Sequence, residues 1–526
     1  MVVEEQAETI AFLQKLRGNN ESVEIITTHA SMIFLTDGKV YKMKKAVRYP
    51  YLDYSTAEMR LKACMAEFAL NRRTAPDLYI GVHTITRAPN GELAFDGTGT
   101  MVDAALEMFR FDQECLFDRM AQQGTLTPAL MEDLAYRIAA FHRDAAVSLN
   151  DGGVQGMAGV LTINEESLHA TRLVPDREEA AFSQRFRQAL QDHATLLEHR
   201  RISGKVRHCH GDLILRNICL WHGIPTLFDC IEFDEKLAKI DILYDLAFLL
   251  MDLWHRNCHS LANILLNRYL DVTDETDGLK LVPFFMAIRA AIRAHVTATQ
   301  VQSSPAAANP SLLSEAGDYL TLALSLLKTV SPSLIAIGGL SGTGKYTIAS
   351  LTAPCLAPVP GARVLNSDRI RKRLYGVRSH EKLPEEAYRP DISERVYEIM
   401  REEAGQALES GFTVIVDAVF DRPEERDRIR QLADRHNVPF NGCWLQAPIT
   451  LLLSRVSNRK RDPSDATKDV VERQAERDCG MIDWVRLDAT QEASLIRDEI
   501  LNLHELKRTS SQSQDGLNPP KATNPS

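Results

Sequence analysis

No Cys-x-x-Cys pair occurs in the 526 residues, and the nine cysteines are scattered and odd in number. This excludes a disulfide-stapled secreted scaffold and reads as reduced thiols. His208-Cys209-His210 is a dense run of metal-binding side chains, yet no second cluster offers the fourth ligand that a structural zinc needs. Long apolar runs are scarce: stretches such as LAFLLM fall far short of the ~20 residues that span a bilayer. The opening MVVEEQAETI is acidic, with no positive segment ahead of an apolar core, so it does not read as a secretory signal. Positive charge is not in excess either. A net charge of -10 and a pI near 5.9 argue against a chain that coats nucleic acid or a membrane surface, and leave room for a small anionic ligand. The expectation is a soluble, cytoplasmic protein with no membrane partner.

What is present is a globular composition, 44% hydrophobic and 25% charged, over a length that implies two to four domains. SSPAAANP, ending at Pro310, and SPS at 331–333 are breaks, and LSEAGDYLTLALSLLKTV between them has helical periodicity. The division expected is a first body over 1–305, a connector helix over 306–330, a second body over 331–508, and a tail over 509–526 too polar to pack. In the first body, MIFL and KVYKMK flank a DG turn as a hairpin, followed by a helix near Thr56 to Arg73. Thr127-Pro128 caps and starts a further helix, and DILYDLAFLLMDLW reads as another, giving a small strand-rich lobe and a larger helical one. The second body alternates apolar runs (LIAIGG, ARVLNSD, TVIVDAVF, FNGCWLQAP) with helical segments, which implies a parallel sheet flanked by helices.

GGLSGTGKYT begins at 338, after a buried-type strand and before a helix. Gly339, Gly342 and Gly344 let backbone amides, with Ser341 and Thr343 between them, converge on phosphate oxygens, and Lys345 reaches the terminal phosphates. Tyr346 stands where Ser or Thr normally holds magnesium, and Thr347 points about 100° away on the helix. Downstream, Asp368 in VLNSDRIRKRL is placed to accept a hydroxyl proton, with Arg371 one turn on for an anionic group. Asp417 ends an apolar strand as a second carboxylate, suited to magnesium. Arg455 and Arg459, with Arg461 behind them, either close over a transferring phosphate or form a solvated face. Residues 333 to about 490 resemble the small-molecule and polynucleotide P-loop kinases, such as the gluconate kinase, chloramphenicol phosphotransferase and zeta-toxin relatives. That resemblance implies a Walker A loop, an acceptor-activating Asp at 368 and an arginine-bearing lid over 455–461. The departures from it are Tyr346, Asn366 where Arg is common, and Val419 where Thr is common.

The first body carries HCHGDLILRNICL and LFDCIEF. Asp212 and Asn217, five apart, and the later strand-borne Asp229 have the spacing of a kinase catalytic loop: a base for the acceptor hydroxyl and two metal ligands. A nucleotide lysine paired to a helix glutamate is then required. Lys42 with Glu67 fits, and Lys44, on the same side of its strand, is the alternative. Residues 25–255 resemble the aminoglycoside phosphotransferase family, whose fold is similar to protein kinases. This implies ATP or GTP as donor, a small-molecule hydroxyl as acceptor, Asp212 as base, and Asn217 and Asp229 on magnesium. Ile214 departs from the family's His-Gly-Asp-Leu-His.

Together the two bodies resemble the bacterial group of fused aminoglycoside phosphotransferase-like and ATP-binding proteins. The fold expected is an α+β protein-kinase-like bilobal domain followed by an α/β P-loop domain. The function expected is a magnesium-dependent phosphotransferase with two nucleotide sites. Two alternatives stay open: a nucleotide-binding regulatory protein, motivated by Ile214 and Tyr346, and a nucleic-acid 5′-hydroxyl kinase, motivated by the basic run RIRKR at 369–373.

Overall fold

The computed structural model describes residues 6–16, 23–28, 30–49, 52–273, 275–303, 310–458 and 464–515. The chain forms two compact units, Met1–Asp252 and Leu253–Ser526.

The first unit holds a six-stranded antiparallel sheet, preceded by a short helix over Ala7–Gln14. Strands β1 (Glu24–Thr27), β2 (Ser31–Leu35), β3 (Lys39–Lys44), β4 (Tyr79–Arg87), β5 (Leu93–Phe95) and β6 (Thr100–Phe109) take the order β1-β2-β3-β6-β4-β5. The β2–β3 hairpin sets Ile33 opposite Lys42, so Val40, Lys42 and Lys44 share one face. Helix α1 (Ala57–Asn71) starts at Thr56, whose hydroxyl accepts from Met59 N at 3.3 Å, and it packs on the sheet through Cys64 against Leu78, Tyr79 and Leu106. The chain then turns helical. Helix α2 (Pro128–Asp144) is capped by Thr127, which accepts from Leu130 N, and has its proline in the first turn. A short antiparallel pair, β7 (Ile218–Trp221) and β8 (Ile224–Leu227), follows the candidate catalytic loop. Helix α3 (Ile242–His255) closes the unit and is almost wholly buried.

The second unit is built on a five-stranded, all-parallel sheet. Strands β9 (Leu334–Gly338), β10 (Arg363–Asn366), β11 (Val414–Asp417), β12 (Phe440–Gln446) and β13 (Val485–Asp488) take the order β10-β11-β9-β12-β13. β9, β10, β11 and much of β12 are buried, which matches their unbroken apolar runs. Ile335, Ile337, Ile415, Leu445 and Leu487 join Ile348 and Ala349 of α7 (Lys345–Thr352) and Ile496 and Ile500 of α12 (Ala493–Asp515) in one core.

Three helices precede this sheet in the same unit: α4 (His259–Val272), α5 (Val282–Ser303) and α6 (Pro310–Leu326). The sequence reading ends the first body at 305 and treats 306–330 as a connector. The compact units instead divide inside α3, because these helices have partners in the second unit. α5 packs along α6, with Arg293 over the Tyr319 ring at 5.7 Å. The side chains of α4 bond the edge strand β10: Asn267 Oδ1 accepts from Val364 N at 2.8 Å, and Asn263 and Asn267 Nδ2 donate to Ala362 O at 3.0 and 3.1 Å. Asp271 takes Arg363 at 2.7 Å and Arg369 at 3.0 Å.

The sequence reading also finds only short apolar stretches. One run, Thr276–Val301, is long and apolar enough by composition to cross a membrane, and most of its apolar window is buried within the protein. At the other end, α12 continues to Asp515, past the tail boundary expected at 508, and 516–526 lie outside the described residues.

Candidate active sites

In the first unit, β3 and α1 bring two lysines and a glutamate together. Glu67, fully buried, divides its carboxylate: Oε1 takes Lys42 Nζ at 2.8 Å and Oε2 takes Lys44 Nζ at 2.6 Å. Each lysine reaches a second carboxylate on the segment after β8, Lys42 to Asp229 at 2.6 Å and Lys44 to Glu232. The result is a ladder, Asp229–Lys42–Glu67–Lys44–Glu232, in which Lys42 and Lys44 both pair with Glu67. Burial by itself pushes a lysine's pKa down, but Asp229 and Glu67 outweigh it and hold Lys42 well above its usual value. Burial also raises the Asp229 carboxyl, and Lys42 with Lys44 and Arg216 overcomes this to bring it to about 2. Asp229 has φ 61°, a left-handed backbone that is costly for a residue with a Cβ, and its amide donates to the Tyr79 hydroxyl at 3.2 Å. Glu232 is the residue sequence reasoning passed over. Its signal was the DCIEF motif, three positions past Asp229.

Asp212 follows β-type backbone and a turn that Asp245 braces. Asp245 Oδ1 accepts from Gly211 N at 2.9 Å, and Oδ2 from His210 N at 3.1 Å, with His142 Nε2 also 3.1 Å away. His142, Cys209 and Asp245 have donor atoms within 4.8 Å of one another, a metal-like grouping not visible in the HCH run. The two backbone amides on the carboxylate give it a bracing role. Asn217 Nδ2 donates to Asp212 Oδ2 at 2.8 Å and to Asp212 O at 2.9 Å. Those bonds turn the Asn217 carboxamide oxygen away as an acceptor. Asn217 and Asp229 therefore offer hard oxygen donors, which suit magnesium. Ile214 is buried, 4% exposed, and belongs to the core.

In the second unit the phosphate loop joins β9 to α7. Gly339 has φ 138°, and a Cβ there would lie 2.4 Å from Leu445 O; Gly342 has φ 92°, and its Cβ would lie 2.9 Å from Leu452 O. Both positions need glycine for conformation and for space. Gly344 is the N-cap of α7, with φ 88°. Lys345 Nζ folds back onto Gly339 O at 2.8 Å and Leu340 O at 3.1 Å. Thr343 is buried and donates to Leu340 O, Ser341 is buried, Tyr346 is half-buried, and Thr347 is exposed.

Asp417 ends β11 beside Ile337, one residue before the loop strand ends, and is 1% exposed. Its Oδ2 accepts from Asn366 Nδ2 at 2.7 Å, while Asn366 Oδ1 caps Arg369 N at 2.9 Å. A short amide at 366 thus joins two strand ends to α8 (Ser367–Leu374). Asp368 is half-buried in the first turn of α8, at the carboxyl edge of the sheet. Arg371 is buried: its Nη1 donates to Ala387 O at 2.6 Å and Ser393 at 3.3 Å, and its guanidinium lies over Tyr388 at 4.9 Å. The basic run RIRKR is spent inside the protein. Arg369 pairs with Asp271, Lys372 with Asp465, and Arg373 with Glu403. That removes the observation behind a nucleic-acid groove. Arg455, on α10 (Ile449–Ser457), donates to Ala489 O at 2.9 Å, whereas Arg459 and Arg461 lie outside the described residues.

Residues 334–477 match the family model described as an AAA domain. The uncharacterized protein Rv2004c of Mycobacterium tuberculosis is 29% identical over 475 residues, covering 87% of this chain and 91% of that one. Among solved structures, a choline/ethanolamine kinase family protein from Mesorhizobium loti is 13% identical, with TM-score 0.39, over 62% of this chain and 95% of its own. A gluconokinase from Sinorhizobium meliloti 1021 is 20% identical, with TM-score 0.25, over 35% of this chain and 99% of its own. The AAA domain match thus falls on the unit built around the five-stranded parallel sheet and its phosphate loop.

Proposed function

We propose that this protein is a phosphotransferase with two nucleotide sites, each taking ATP or GTP with magnesium and passing the terminal phosphoryl group to a hydroxyl of a small molecule. The observation that carries the reading is the ladder in the first unit. It ties the strand lysine and helix glutamate of a nucleotide site to Asp229 on the segment that follows the Asp212–Asn217 loop. Asp212 would take the acceptor's proton, held in place by the Asn217 amide. Asn217 and Asp229 would hold magnesium, which when bound neutralises charge on the phosphates. In the second unit, the loop amides and Lys345 would bind phosphate and Asp368 would take the acceptor's proton. There Asp417 would face magnesium, which Tyr346 is poorly shaped to ligate.

A second reading has one support. With Tyr346 at the magnesium position, the second unit would bind nucleotide with little turnover and act as a sensor. The test is nucleotide hydrolysis and transfer to a panel of small alcohols by the full chain, with Asp212→Asn and Lys345→Ala. Asp212→Asn should lower turnover at the first site by roughly 10²–10⁴-fold. Full turnover in both variants would overturn the kinase reading. Loss through Asp212→Asn alone would leave the second unit as a binding module.

A further inference from the structure

The phosphate loop already has a guest. Gln474, on α11 (Lys468–Ala475), places its Oε1 2.9 Å from Ser341 N, one of the amides of the loop. A carboxamide oxygen and a phosphate oxygen are the same kind of partner for an N–H, so the two cannot occupy that amide together.

The contact is built rather than incidental. Val471 of α11 is fully buried in a cluster with Leu452 and Val456 of α10, and Leu340 of the loop packs against it. Gly342 admits no side chain because Leu452 O stands against it. Three residues ahead of α11, Asp465 is fastened by Lys372 Nζ at 3.1 Å, Leu383 N at 3.0 Å and the Tyr388 hydroxyl at 2.9 Å. The chain leading to Gln474 is thus anchored at Asp465 and again at Val471, and the half-buried glutamine is delivered to the loop.

We propose that Gln474 is a phosphate competitor: it holds the Ser341 amide while the loop is empty and must release it for a nucleotide phosphate to seat. The inference rests on the phosphate-loop reading above and deepens it, by giving α11 the role of reporting whether the loop is filled. It follows that the phosphates alone, without base or sugar, suffice to displace the glutamine.

The test is equilibrium binding of inorganic pyrophosphate and of magnesium ADP to the full chain, comparing the parent with Gln474→Ala, Gln474→Glu and Lys345→Ala. Binding lost in Lys345→Ala defines the loop's share. Gln474→Ala should bind both probes more tightly, by roughly two- to tenfold, the worth of one net hydrogen bond. Gln474→Glu, nearly isosteric, should bind both more weakly, because a carboxylate holds the amide more strongly and repels phosphate. Unchanged or weaker binding in Gln474→Ala overturns the proposal. Binding that survives Lys345→Ala intact overturns the underlying reading of the loop instead.

Discussion

Lys44 is the residue at which this protein departs from a plain strand-lysine and helix-glutamate pair. Its side chain is 2% exposed and stands between the fully buried Glu67 and the half-buried Glu232. Taking it away leaves Glu232 without its ladder cation and Glu67 with Lys42 alone, and breaking a buried pair in this way costs about 3–5 kcal/mol. Lys44→Met should therefore lower the urea midpoint of the first unit by that equivalent and weaken nucleotide binding there, while Lys44→Arg retains part of both. A stability within 1 kcal/mol of the parent would show that the ladder's second half contributes little. Asn366 makes a similar point about reading single residues. Set against related P-loop kinases it looks like a lost arginine, but its amide caps α8 and bonds Asp417 at once. Asp212, Asn217 and Asp229 could be singled out because their spacing is itself a signal, and the structure brings Asn217 to Asp212 and Asp229 to Lys42. Glu232, Gln474 and Asp465 were not, since their partners lie far away in sequence.

At the scale of elements, local chemistry was the readable part. The Thr127 cap, the DG hairpin and the apolar strand runs each announce themselves within a few residues, and each is found. Helices α4, α5 and α6 fall in a different compact unit from the body the sequence reading grouped them with or next to, and a helical period says which face is buried and not what buries it. Helix α5 carries a titratable example. His295, 9% exposed, has its pKa pushed down to about 4, chiefly by burial and also by Arg293. The folded protein keeps this ring neutral while the unfolded chain protonates it near 6.5. Stability should therefore fall as pH drops from about 6.5 to about 4, then level off in this contribution. At about 1.4 kcal/mol per pH unit the whole step is on the order of 3 kcal/mol. His295→Gln should flatten that part of the urea-midpoint profile of the second unit; a profile identical to the parent's would assign the acid sensitivity elsewhere.

For the molecule as a whole, two phosphate-handling units on one chain make a prediction about counting. Saturation with a non-hydrolysable triphosphate should give two equivalents per chain, and Lys345→Ala should leave one. A single equivalent in the parent would mean that only one unit binds nucleotide. The division inside α3 also bears on how the chain tolerates being cut. Strand β10 is the outer edge of its sheet, and what meets its Val364 amide and the Ala362 carbonyl just ahead of it is not another strand but the carboxamides of Asn263 and Asn267. An uncovered strand edge is a template on which other chains can pair. A fragment begun at 331 would strip that cover. It would keep the loop, Asp368 and Asp417, and yet be drawn to self-association, whereas one begun ahead of α4 would stay dispersed. On this account the two asparagines would guard the solubility of the unit that carries the phosphate loop.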